Sequence, residues 1–266
     1  MNQELRRITL NIDSICGVCS GRLMQGEEAL FSREFKKVIC SREHVTNIYG
    51  EPGKSVSDKV RKVEQARRDS VESIPLIGKI IYMFMGKSKE SKIWEKGAKG
   101  EVEVGKILEK IANENGYIVM HDRVIPGSKA NLDHILVTPK GVFLVDAKNY
   151  KGKIEIVNMA GSFSKPNFHL RVGGRDQSKL VEQVKNQKLR MADELRKRGI
   201  RCEVVGVLAF VDGQWPLLSK PLIINDVYVN GKGINTIVEG YQSFIEIDLN
   251  LVANFVALKF PAKNYY

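Results

Sequence analysis

The chain has 266 residues, 43% hydrophobic and 27% charged, with a formal net charge of +11. That is the composition of a soluble globular protein with room for one large domain or two smaller ones, and no repeat or low-complexity tract interrupts it. The positive excess favours a polyanionic partner, nucleic acid or an acidic membrane surface. No stretch reaches the length of a membrane span, and Met1 to Leu10 lacks the apolar core of a signal peptide. The expected compartment is therefore the reducing cytoplasm, where the four cysteines read as metal ligands or free thiols rather than disulfides.

Residues 1–50 carry Cys16, Cys19, Cys40 and His44 in the pattern C-x2-C-x20-C-x3-H. A Cys-x2-Cys turn points two thiolates at one ion, and a Cys and a His four residues apart share one face of a helical turn. The set suits tetrahedral zinc, and four protein ligands argue for a structural ion. A small treble-clef or ribbon-like zinc finger is expected, with a short hairpin from Arg22 to Arg33 turning near Gln25-Gly26.

Residues 51–92 are expected to link this finger to the rest. Ser55 to Ser73 reads as a polar, solvated connector helix. Ile74 to Gly86 is apolar, about two-thirds of a membrane span and interrupted by Lys79. It reads as a packing helix against a domain or a second chain in a homodimer, with a membrane contact as the alternative. The linker proper is expected from Gly86 to Ser91.

The main domain is expected over 93–266. Glu95 to Asn115 predicts a helix closed by Asn115-Gly116. Its apolar face includes Val104, Leu108 and Ile111, and Glu101 falls on that face near the helix start. Such a Glu has two readings, a first-turn residue favoured by the helix dipole or a third carboxylate of an acidic site. The neighbouring hairpin favours the second.

Tyr117 to Val124 predicts a strand. Leu132 to Thr138 and Val142 to Lys148 predict two more, joined by Pro139-Lys140-Gly141. Alternation puts Asp133 on a face with Ile135 and Val137, and Asp146 and Lys148 on a face with Val142 and Leu144. Charge on an otherwise apolar face is costly unless it pairs, binds metal or does chemistry. A buried ion pair between Asp146 and Lys148 is the bland reading. Two carboxylates beside a lysine also make a site for a hard cation such as Mg2+ or Mn2+, with Lys148 orienting the attacking water or stabilising the transition state.

Lys153 to Val157 is expected to extend the sheet, and Ser162 to Gly174 to form an irregular basic loop. Gln177 to Arg198 predicts a long helix, and Glu203 to Val211 a central strand covered on both faces. Leu222 to Val229 suggests a last strand, and Ile234 to Phe244 and Asp248 to Phe260 predict C-terminal helices. From Lys165 to Arg201 there are eleven basic and four acidic residues, most of the chain's net +11. The fold class is α/β, with a core of helix, three strands, helix, strand around a mixed sheet.

Gly100-Glu101, Leu132-Asp133-His134, Gly141 to Val145 and Asp146-Ala147-Lys148-Asn149-Tyr150, followed by Gly152, resemble the nuclease-related domain (NERD) family of the PD-(D/E)xK nuclease superfamily. The resemblance covers about Gly97 to Phe210 and implies a restriction-endonuclease-like fold. It implies Asp133 and Asp146 as ligands of a divalent metal, Lys148 as the catalytic lysine and Glu101 as the helix carboxylate. Gln183 would match the glutamine of the following helix, with Gln177 and Gln187 as competitors. Two departures are tolerated within the superfamily, Asp146 where Glu is commoner and Leu132 where Pro often precedes the first acid. His134 lies on the face opposite Asp133 and reads as structural.

Lys151, Lys153, Lys179, Lys185, Lys188 and Arg190 are candidate phosphate contacts, against the alternative of a solvated basic face. The expected function is a Mg2+-dependent nuclease, most readily a DNA endonuclease, with the zinc finger aiding substrate binding or assembly. The alternatives are a non-enzymatic nucleic-acid-binding or assembly protein that keeps a nuclease fold, and a membrane-tethered regulator.

Overall fold

The computed structural model describes residues 5–19, 21–40, 48–72, 88–128, 130–159, 167–215 and 221–262. His44 and the apolar run Ile74 to Gly86 lie outside the described residues. Among those described, no helix is long and apolar enough to cross a membrane.

The chain begins with β1 (Leu5–Thr9), β2 (Ser14–Ile15), β3 (Arg22–Leu23), β4 (Glu28–Ser32) and β5 (Lys37–Cys40). They form two small ladders, β1-β4-β5 and β2-β3. The hairpin expected from Arg22 to Arg33 is therefore not formed, since β3 pairs with β2 and β4 with β1 and β5. Leu10 bonds through its backbone to Gly26 and Glu27, which steers the chain after the turn onto β1.

Next come β6 (Ile48–Tyr49), α1 (Lys54–Glu72) and α2 (Lys89–Asn115). Helix α2 starts earlier than the expected linker allows because Ser88 caps it, its Oγ accepting from Ser91 N at 3.0 Å. Glu64 of α1 also accepts from Ser88 N at 3.3 Å, so the two helices are joined at this end. At the other end Gly116 takes the left-handed conformation, φ 68°, and stops the helix.

The three expected strands, β7 (Ile118–Val124), β8 (Asn131–Thr138) and β9 (Gly141–Lys148), form an antiparallel meander. At the hairpin, a Cβ on Gly141 would lie 2.6 Å from the Glu203 carbonyl, and φ is 141°, so only glycine fits. After β10 (Gly152–Asn158), β11 (Phe168–Val172) and β12 (Arg175–Asp176) come α3 (Ser178–Lys197) and β13 (Val204–Phe210). The chain ends through β14 (Gly213–Gln214), β15 (Leu222–Ile224), β16 (Val227–Asn230), α4 (Ile234–Gly240) and α5 (Leu249–Lys259).

Seven strands form one mixed sheet in the order β15-β16-β13-β9-β8-β7-β6. All seven residues of β13 are buried, and it runs parallel to both β9 and β16. Each fully buried Val, Leu or Phe there contributes about 1.5–3 kcal/mol, which leaves no room for a charge in this strand.

Three other expectations change. Strand β10 does not extend the main sheet; it belongs to a second sheet, β12-β11-β10-β14. Part of the supposed basic loop is β11, where buried Leu170 and Val172 alternate with His169 and Arg171. The last strand is two, β15 and β16, turned at Asn225 and Asp226 with φ of 49° and 64°.

One face of the main sheet packs on α2 through Leu136, Phe143 and Val145 against Val104 and Leu108. The other packs Ile135, Val137, Val142 and Leu144 against Met191 and Leu195 of α3 and Phe255 of α5. Cys16, Val18 and Leu23 from the N-terminal ladders enter this second core, and β6 pairs with β7 at the edge of the sheet. The N-terminal ladders and β6 thus share a core and a sheet with the rest of the chain.

Candidate functional site

Asp133 and Asp146 meet where the β8–β9 ladder ends. Beyond the pair His134↔Val145, Ala147 N–H donates to the Asp133 side chain at 3.0 Å. A carboxylate thus replaces a backbone acceptor, and the strands open around it. Lys148 Nζ lies 2.5 Å from Asp146 Oδ2 and 3.7 Å from Asp133 Oδ2, and it donates to Ala147 O at 3.2 Å. Asp146 Oδ2 is thus a buried carboxylate oxygen with the Lys148 ammonium seated on it. The side chains of Lys148 and Asp133 are 19% and 15% exposed, so solvent reaches two members of the cluster.

Glu101 comes from the start of α2. The preceding Gly100 explains how: a Cβ there would lie 2.9 Å from Asn149 Cβ, so the helix can approach the end of β9 only with glycine. Asn149 Nδ2 fastens the contact by donating to Lys96 O at 2.8 Å.

Burial pushes the Glu101 carboxyl up to about 9, with Asp133 adding to the rise and Lys148 opposing it. Burial also raises Asp146 above the usual carboxylate range, against the pull of Lys148. Burial works against the Lys148 ammonium, yet Asp146 and Asp133 together hold it above an ordinary lysine. The cluster is short of positive charge: three carboxylates face one ammonium.

That shortage, in a cluster whose Asp146 carboxylate is buried, fits a hard divalent cation. Glu101, Asp133 and Asp146 do not each bring an oxygen within 4.8 Å of the others, a spacing that only Cys16, Cys19 and Cys40 reach among the described residues. Sharing one ion would need side-chain rotation, with Lys148 leaving the space between the two aspartates.

Gln183 is exposed on α3 and lines a groove of about 590 Å3 with Ile125, Ala130, Lys179, Gln187 and Arg190. Its competitor Gln187 is buried and donates to Asn131 O at 3.4 Å, two residues before Asp133. Gln177 sits at the N-terminus of α3.

Of the candidate phosphate contacts, Lys151 and Lys179 are exposed and Lys185 is half-buried. Lys153 pairs with Glu155 at 2.6 Å, Lys188 pairs with Asp226, and Arg190 donates to the Pro126 carbonyl. Those three would exchange an internal partner for a phosphate.

Cys16, Cys19 and Cys40 converge, with Cys19 Sγ and Cys40 Sγ 4.0 Å apart. Two backbone N–H groups, of Val18 and Cys40, donate to Cys16 Sγ at 3.4 Å each. Contact with Cys16 and burial raise the Cys19 thiol, and burial with Cys16 nearby pushes Cys40 up to about 11. Crowded thiols under N–H donors fit a thiophilic metal, which would displace their protons.

Residues 96–211 match the family model of the nuclease-related domain, NERD. The match spans the elements from α2 to β13 that carry Glu101, Asp133, Asp146, Lys148 and the long helix. The matched segment is thus similar to a nuclease-related domain, and the cysteine cluster lies outside it. No curated protein and no solved structure matches the chain.

Sequence reasoning missed three residues within the NERD domain. His121 Nδ1 lies 2.8 Å from His134 Nδ1, and His121 Nε2 lies 3.3 Å from Glu109 Oε1. Burial holds His134 down at about 3, so this row is neutral and structural. Asp122 has φ 51° inside β7, and its carboxylate accepts from Ser55 N at 2.6 Å and Asn131 Nδ2 at 2.8 Å. It caps α1 from another strand. Arg123 is fully buried beside the cysteines. Alternation would have flagged Arg123 as a charge in an apolar strand, the signal used for Asp133.

Proposed function

We propose that this protein is a divalent-metal-dependent nuclease that hydrolyses phosphodiester bonds, with DNA as its substrate. The observation that carries the reading is the meeting of Asp133, Asp146 and Lys148 at the open end of one hairpin, with Glu101 beside them. Asp133 and Asp146 would hold Mg2+ or Mn2+, and the bound ion would supply charge neutralisation and a water of lowered pKa. Lys148, freed from Asp146, would stabilise charge developing on the phosphate. Glu101, readily protonated, would exchange a proton near the attacking or leaving oxygen. Gln183 would orient the substrate from α3, and Lys151, Lys153, Lys179, Lys185, Lys188 and Arg190 would contact phosphates.

The cysteine cluster would hold a structural Zn2+ through Cys16, Cys19, Cys40 and His44. Thiols placed to bind metal favour the cytoplasm.

Purified protein with plasmid, linear DNA and RNA, each with and without Mg2+ or Mn2+, tests the reading. Metal-dependent nicking or linearisation of plasmid is expected. A nucleic-acid-binding protein that keeps a nuclease fold is the second reading, favoured by Lys148 filling the space between the two aspartates. Tight DNA binding without cleavage under any metal would select it.

A further inference from the structure

The chain carries a buried cation that the carboxylate site does not use. Arg123 is 0% exposed, among the largest fully buried side chains of the protein. Its Nη2 donates to Val18 O at 3.4 Å, inside the Cys16-Gly17-Val18-Cys19 loop. Its Nε and Nη1 have no hydrogen-bond partner among the described residues. A buried guanidinium with two idle donors costs several kcal/mol unless an anion lies near.

The backbone is bent to put it there. Ile118 and Met120 of β7 face the core that holds the cysteines, and Val119 faces α2. Strict alternation would send Asp122 towards the cysteines and Arg123 towards α2. The left-handed φ of 51° at Asp122 interrupts that order. Asp122 instead reaches Ser55 at the start of α1, and Arg123 reaches Val18. The backbone of Arg123 is fixed on both sides, by Leu132 of β8 and by a bridge to Ala262.

We propose that Arg123 is the charge partner of a metal–thiolate centre at Cys16, Cys19 and Cys40, so that metal loading locks the N-terminal ladders onto the nuclease sheet. Three thiolates around a divalent ion leave one negative charge whatever neutral ligand completes the shell, and one guanidinium balances it. The two idle donors would then serve the centre as the outer-shell donors around metal sites do. Lys37 is the nearer-sequence alternative, but it is only half-buried on β5 beside Gly17 and can stay hydrated.

The proposal rests on the zinc reading above, and the experiment separates the two. Zinc content and affinity are measured on the full chain by elemental analysis and by competition with a chromophoric chelator. One zinc per chain is expected for the wild type. Arg123→Met should weaken zinc about 10–100-fold, Arg123→Lys should recover most of the loss, and Lys37→Met should change little. Absence of zinc from the wild type overturns both readings. Wild-type affinity in Arg123→Met, or an equal loss in Lys37→Met, overturns the role of Arg123 alone. Should Arg123→Met fail to fold, hydrogen exchange on the wild type decides. Chelation should expose the amides of residues 118–124, and unchanged protection there contradicts the proposal.

Discussion

The carboxylate cluster on the seven-stranded sheet and the cysteine cluster on the N-terminal ladders handle buried charge in opposite ways. At the first, Lys148 comes from the same strand as Asp146, sits 2.5 Å from it and remains partly open to solvent. At the second, the thiols converge in a core, and Arg123, the cation wholly buried with them, comes from a distant strand. A cation that can swing out suits a site that must admit a substrate. One clamped on both sides of its backbone suits a site that must stay shut. The contrast separates a place for chemistry from a place that holds the fold.

The largest expected effect tests the first half of the contrast. Lys148→Ala or Asp146→Ala should lower cleavage by about 10²–10³-fold or more while DNA binding and thermal stability hold, read by plasmid cleavage and calorimetry. Cys16→Ser should do the reverse: loss of bound zinc and a stability cost on the order of 4 kcal/mol or more, read by elemental analysis and thermal unfolding. If the two variants gave the same phenotype, the division of labour would be wrong.

Gly100→Ala comes next. Its Cβ would press on Asn149 and push α2 off the end of β9, moving Glu101 relative to Lys148. Overpacking of this kind costs about 1–3 kcal/mol, and an ångström of displacement at the site costs about 10²-fold in rate.

The pH dependence of the metal-free protein is smaller. Glu101 holds its proton up to about 9, far above its ordinary 4.5, so the folded state binds more protons than the unfolded one between those values. Stability is therefore fully present below about 4.5 from this group and falls as pH rises towards about 9. Glu101→Gln should flatten the profile of thermal midpoint against pH. Saturating Mg2+ should flatten it too, by supplying the missing charge. The smallest effect belongs to the basic face: Lys179→Glu should weaken DNA binding uniformly across sequences and reduce its salt slope by roughly 1.

The order of core elements was legible because β8, β9 and β13 are long, strongly apolar and punctuated by Gly141 and Pro139. The candidate site was legible for a related reason: Asp133, Asp146 and Lys148 interrupt apolar faces. The second sheet was hidden because the alternation in Phe168 to Val172 is carried by two buried residues among His169 and Arg171. The N-terminal ladders were misread because backbone bonds from Leu10 to Gly26 and Glu27 override the local hairpin signal. Arg123 stands out as a charge in an apolar strand, but the face it takes depends on the left-handed backbone at Asp122, and no residue pattern announces that inside a strand.

The most direct measurement is the anomalous scattering of Mn2+ in crystals of the full chain. A manganese peak within coordinating distance of Asp133 and Asp146, with the Lys148 ammonium moved off Asp146, is the predicted result. No peak at saturating Mn2+, with Lys148 still seated on Asp146, would contradict the account and leave the hairpin with an ion pair in place of a catalytic centre.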